Sequence, residues 1–183
     1  APIIWYFMDM APLTGGCHYA FDCTGYMRQC GNCPQLGAGR SAQDLSHRQW
    51  HKKWAYLQKT NITAVAASSW LQSQLESGSV FQNKRQEKIL LAADTRIFCP
   101  APQGGARKQF NLPIDRKIIF FGANNLHEER KGFRYLLGAL RLLYAKLGDN
   151  VSLRDQILVV TAGKTEDAAE LDIPFEHQHV GFL

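Results

Sequence analysis

The sequence predicts an α/β protein in which parallel sheets are flanked by helices. Three observations carry that expectation. Ile3 to Met8 is a short unbroken apolar run, as in a strand covered on both faces. From Lys117 onward the pattern reads strand, helix, strand, helix, strand, the order of a parallel doubly wound sheet. Between these regions, residues 94–105 gather Pro100, Pro102, Gly104 and Gly105 and read as a connection between domains. A chain of 183 residues can hold two small domains, expected at 1–102 and 103–183.

After the first strand, residues 9–46 are rich in Gly, Cys and Pro and show no clean periodicity. An excursion of that length needs something to hold it. Ser46 is placed to cap a helix over 47–59, in which Trp50, Trp54 and Leu57 share one stripe. A strand over 62–66 follows, then Ser68 and Ser69 offer a cap for a short helix over 70–76. Residues 88–92 read as another strand, and 106–111 as a helical turn closed by Leu112-Pro113. Lys117 to Gly122 is a strong strand, joined by a polar loop over 123–130 to a helix over 132–147. Phe133, Leu136, Leu137, Leu140, Leu143, Tyr144 and Leu147 keep helical spacing, and Gly148 ends the helix. A strand over 156–161, an acidic helical turn over 165–170 and the start of a strand over 179–183 complete the reading. Trp50, Trp54 and Trp70 are expected in the core, and Cys99 as a buried or half-buried small residue. The chain opens without an initiator Met and both ends read as strands, as expected of an internal piece of a larger protein.

Residues 1–116 carry 13 basic and 7 acidic side chains, whereas 117–183 carry 8 and 9. The basic excess is scattered, and no recognition module is legible, so nucleic acid is not an expected partner. A modest positive field suits phosphate, a nucleotide or an anionic membrane surface. No apolar run is long enough to span a bilayer.

The best phosphate candidate is the segment Gly122 to Lys131, which joins a strand to a helix start. Free amides and the helix dipole favour an anion there, and Arg130 and Lys131 add charge. The alternative is a solvated Arg-Lys pair opening a surface helix. In Thr14-Gly-Gly-Cys-His18, Gly15 and Gly16 permit a tight turn or close approach to a sugar. His18 can donate a hydrogen bond, titrate near neutral pH or join a metal site. Asp9 lies just past the first strand, where a carboxylate can hold a substrate hydroxyl or cap the loop. Each of these also has a purely structural reading as a turn residue.

Cys17, Cys23, Cys30 and Cys33 stand 6, 7 and 3 residues apart. Four thiolates in one loop suit tetrahedral zinc, which would staple a segment with little hydrophobic core of its own. Two disulfides or free buried thiols are the alternatives. A four-cysteine site has no open position, so such a zinc would be structural. His47 and His51 share a helix face without an evident third ligand.

The stretch DMAPLTGGCHYAFDCTGYMRQCGNCPQL, from Asp9 to Leu36, resembles the corresponding loop of certain bacterial group 1 glycosyltransferases. These retaining enzymes have the GT-B fold and build cell-surface polysaccharide. The likeness continues through Leu45-Ser46, Trp50, Lys53, Ser68-Ser69-Trp70-Leu71, Ala93-Asp94-Thr95 with Phe98, Phe121-Gly122-Ala123 and Arg130-Lys131-Gly132-Phe133. The resemblance implies two incomplete Rossmann-like domains, the first binding the acceptor and the second a nucleotide sugar. It implies that Lys131, with Arg130, grips the donor diphosphate, that Gly122, Ala123 and Asn124 lie against the same phosphates, and that Gly15 and Gly16 border the sugar or acceptor. It further implies a cytoplasmic enzyme needing no catalytic metal, with a glycan or lipid-linked acceptor and peripheral association with the inner membrane face.

The sequence also departs from that family. Met8 stands where the family has histidine, and Leu91-Ala92-Ala93-Asp94 lacks the usual Asn-Gly turn. Ala123 and Asn124 stand where an arginine is common, and the acidic donor motif of full-length relatives is absent. The leading expectation is therefore a glycosyltransferase as the parent protein, with this stretch inactive by itself. The alternative is a catalytically degenerate relative that binds or scaffolds.

Overall fold

The computed structural model describes residues 1–165 and 171–182. It divides into two compact units, Ala1–Phe98 and Cys99–Leu183. Each is α/β with a three-stranded sheet, and all pairings are parallel.

The first unit orders its strands β1 (Ile3–Phe7), β2 (Ile62–Ala66) and β3 (Arg85–Lys88). β2 is central, so Ile62, Ala64, Val65 and Ala66 are buried. β1 is an edge strand. Phe7 packs on Phe81 with ring centroids 5.1 Å apart, but Ile3 and Ile4 stay exposed, contrary to a strand covered on both faces. Helices α1 (Leu45–Gln58) and α2 (Ser69–Ser77) bury Trp50, Leu57, Leu71 and Leu75 in the same core.

Several expectations for this unit are corrected. Asp44, not Ser46, caps α1: its carboxylate accepts the His47 N–H, and the Ser46 hydroxyl donates to it at 2.6 Å. Ser68 does cap α2, accepting the Leu71 N–H. Trp54 and Trp70 are exposed, because only the Trp50–Leu57 side of α1 and the Leu71–Leu75 side of α2 meet the core. Trp54 stacks in parallel on buried Trp50 at 6.4 Å. β3 lies before the apolar run that suggested it. Buried Val80 and Phe81 anchor the approach, and Thr63 to Ala66 then pair with Arg85 to Lys88, leaving Ile89 to Leu91 exposed.

The second unit holds α3 (Gln103–Gln109), β4 (Lys117–Asn125), α4 (Phe133–Leu147), α5 (Val151–Asp155), β5 (Ile157–Lys164) and β6 (Glu176–His179). The sheet order is β4-β5-β6, and central β5 buries Leu158 to Ala162. Leu140 of α4 packs with Val159 and Phe175, and Gly148 ends the helix at φ 51°. The last strand begins earlier than expected, at Glu176, and α5 was not expected; Asn150 caps it by accepting the Leu153 N–H. β4 continues through Asn125, where a polar loop was expected, because Asn125 still pairs with Lys164 past an irregularity. α3 starts at Gln103, three residues before the expected turn. The helical turn expected over 165–170 lies outside the described residues from 166 onward. Cys99 is exposed rather than buried. No helix among the described residues is long and apolar enough to cross a membrane.

Candidate functional site

The end of β4 and the start of α4 are locked together by aromatic packing. Phe133 is buried against Phe121, with ring centroids 5.3 Å apart, and shares a cluster with Leu126 and Ala123. This fixes the helix start beside the carboxyl edge of the sheet, where ligands of open parallel sheets bind. A single 3-10 turn, Glu129–Lys131, precedes the helix, and Gly132 takes the left-handed conformation at φ 81° to join the two. No side chain caps α4. Tyr135 and Leu136 already donate to the Gly132 carbonyl, so the amides left for an anion belong to the very first residues.

The charges of this turn are unequally committed. Arg130 pairs with Glu128, and Arg134 pairs with Glu129 while lying 4.7 Å from the Tyr135 ring centroid. Lys131 is exposed and has no carboxylate partner among the described residues. It is therefore the cation of this turn best placed to meet an incoming anion. Gly122, Ala123 and Asn124 line a separate shallow hollow with Ala162, Gly163 and Phe182. Lys131 is not among its walls. Gly163 is forced to be glycine: its φ is 129° and a Cβ would stand 1.7 Å from the Ala123 carbonyl oxygen.

In the first unit the cysteine loop is better packed than its composition suggests. Met10, Leu13, Ala20 and Tyr26 are buried in the domain core, with Cys23 and Cys30 packed against it. The loop thus draws its hydrophobic support from the domain core rather than from a core of its own. Two 3-10 turns, Gly25–Met27 and Pro34–Gly39, are its regular structure. Asp44 acts as its hub. Besides capping α1, its carboxylate accepts the Cys33 N–H at 2.8 Å and the Ser41 N–H at 3.3 Å. The Ser46 hydroxyl, then these amides, hold the carboxyl well below the usual range. Lys53 reaches in from α1 and donates to the carbonyls of Ala11 and Thr14. Burial pulls its pKa down, while the nearby Cys30 and Cys17 thiols and Asp9 push it back.

Cys17, Cys23, Cys30 and Cys33 all line one small cavity, together with Thr14, Gly15 and Ser46. None of the cysteines is in a disulfide. Cys30 Sγ accepts the Gly15 N–H at 3.1 Å. Burial pushes the Cys30 thiol up to about 11 and raises Cys17 as well. Among the described residues no group of three or more His, Cys, Asp or Glu side chains is placed to hold a metal ion, although the four thiols line one cavity.

The remaining candidates are engaged locally. Asp9 accepts the Ala11 N–H at 2.8 Å with one oxygen and meets His18 Nδ1 at 2.7 Å with the other. The close approach that Gly15 permits is to Ser46, whose carbonyl oxygen would stand 2.2 Å from a Cβ; Gly16 faces open space at φ 139°. His47 and His51 meet edge to face with ring centroids 4.4 Å apart and both contact the Gln29 amide, while His47 Nδ1 also faces the Cys30 carbonyl. Sequence reasoning missed the roles of Asp44 and Lys53, whose partners lie up to 42 residues away. It also missed buried Thr161, whose hydroxyl contacts His177 Nε2 at 2.8 Å and His179 Nδ1 at 2.9 Å. Alternation along β6 puts His177 and His179 on one face, and that signal was present in the sequence.

No protein-family model matches this sequence, and no curated protein matches it significantly.

Proposed function

We propose that this chain belongs to a retaining glycosyltransferase of the GT-B fold, transferring a sugar from a nucleotide donor to a glycan or lipid-linked acceptor. The observation that carries the reading is the start of α4, uncapped by any side chain and bearing Lys131 without a carboxylate partner among the described residues. A helix start with a fixed cation suits a diphosphate. In the reaction, the bond from the anomeric carbon to the diphosphate oxygen breaks and a bond to the acceptor hydroxyl oxygen forms on the same face. The hydroxyl proton passes to the leaving diphosphate. Lys131 stabilises the negative charge that develops on that leaving group. Arg130 is held by Glu128 and contributes less. The Gly122–Asn124 hollow would accept another part of the donor. Peripheral attachment at the inner membrane face fits the net positive first unit and a lipid-linked acceptor.

Calorimetric titration with a panel of nucleoside diphosphates and nucleotide sugars tests this. Lys131→Ala is expected to weaken binding roughly tenfold to hundredfold, as loss of a charge-assisted contact does. Equal affinity of the variant and the parent chain would end the reading.

A second reading, a catalytically degenerate relative that binds without turnover, is favoured by one feature of the first unit. Met8 is exposed at the carboxyl end of β1, and both Asp9 oxygens already have partners. Donor binding with no sugar transfer in the parent protein would select it.

A further inference from the structure

We propose that Cys17, Cys23, Cys30 and Cys33 are the four ligands of a structural zinc ion that closes the segment between β1 and α1. The inference is independent of the donor site. It starts from convergence: four thiols from four separate points of the loop line one cavity of about 30 Å³. Space on that scale is enough for a small ion. No disulfide uses any of these sulfurs, which leaves all four for coordination.

The backbone around the last two cysteines is shaped for the purpose. Gly31 (φ 149°) and Asn32 (φ 49°) both take positive φ, bending the chain sharply between Cys30 and Cys33. The bend is fixed from outside. A Cβ at Gly31 would stand 2.6 Å from the Ala42 carbonyl oxygen. The Cys30 carbonyl faces His47 Nδ1 at 3.1 Å, and the Cys33 N–H is held by Asp44 at 2.8 Å. The backbone at Cys30 and at Cys33 is thus tied to the start of α1 and its cap.

The charge balance points the same way. Four thiolates around a divalent ion leave a net charge of −2 inside a partly buried site. Such a charge needs N–H donors and a cation nearby. The Gly15 N–H already donates to Cys30 Sγ, and the Lys53 ammonium lies close enough to interact with Cys30 and Cys17. An all-sulfur donor set selects zinc among the divalent cations that require no redox chemistry. Binding draws the sulfurs to about 2.3 Å from the ion. Each of the four thiols gives up one proton to solvent, and no bond is oxidised or reduced. With every position filled by protein, the ion has no place for substrate.

The test uses the whole 183-residue chain, reduced, stripped with a chelator and titrated anaerobically with Co²⁺, then Zn²⁺. Saturation at one ion per chain is expected, with thiolate-to-cobalt charge transfer and the intense visible bands of a tetrahedral site, both bleached by zinc. Mass spectrometry after alkylation should then find exposed Cys99 modified and the other four cysteines protected, whereas the metal-free chain is modified at all five. Cys99→Ser should bind as the parent does, and Cys33→Ser should lose the tetrahedral thiolate spectrum. Absence of stoichiometric binding overturns the proposal. So do cobalt bands without charge transfer, which would indicate nitrogen and oxygen ligands such as His47 and His51.

Discussion

Asp44 accepts the Cys33 backbone N–H at 2.8 Å while the same carboxylate caps α1 at the His47 N–H. One buried side chain thus ties the end of the cysteine loop to the start of the first long helix. Asp44→Ala should lower the melting temperature of the first unit by several degrees. It should also speed amide exchange at Cys33, Ser41 and His47 together. Asp44→Asn keeps one acceptor oxygen and should fall between. Independent changes at the three amides would refute the shared hub.

Lys53 crosses from α1 to the carbonyls of Ala11 and Thr14. Lys53→Met preserves most of the apolar stem and leaves both carbonyls short of a donor. Loss of about 1–3 kcal/mol is expected, read from urea denaturation by Trp fluorescence. A variant as stable as the parent would mean that water replaces the ammonium at no cost.

Gly163 and Gly104 should respond oppositely to alanine. At Gly163 a Cβ meets the Ala123 carbonyl oxygen at 1.7 Å and the backbone is at φ 129°. The β4–β5 pairing must then give way, costing more than about 2 kcal/mol. Gly104 lies in α3 with nothing within 4 Å of a Cβ. Alanine there should stabilise the second unit by about 0.5–1 kcal/mol. Denaturation curves of the two variants check both signs.

His177 lies on β6 against the Thr161 hydroxyl, and burial, then His179, pulls its pKa below the ordinary 6.5. The unfolded chain therefore takes up the proton first as pH falls. Stability of the second unit should be complete above about pH 6.5 and decline through the window below it. His177→Asn keeps a polar partner for Thr161 and removes the titration, so its profile should be flatter. Identical profiles for both proteins would show that another group controls this range.

Much of the element pattern was legible along the chain. The apolar residues of α4 recur at helical spacing, and β2 was bounded correctly by Asn61 and Ser68. Local periodicity and capping chemistry carry that information. β3 was misplaced because apolar content drew the strand onto Ile89 to Leu91, whereas pairing with β2 put it on the polar Arg85 to Lys88. The tryptophans misled for a related reason. Spacing tells which residues share a face, but not how far the core extends beneath Trp54 and Trp70.

By itself the sequence determined two α/β regions, the cysteine spacing, and a glycine-flanked Arg-Lys turn before a long amphipathic helix. Tertiary structure decided which charges are engaged: Arg130 with Glu128, Asp9 with His18, and Lys53 with two distant carbonyls, leaving Lys131 without a carboxylate partner among the described residues. It also gathered four cysteines onto one cavity. The physical reason is range. Helices and strands follow from interactions a few residues apart, while an ion pair or a shared cavity depends on where the folded chain brings remote segments together.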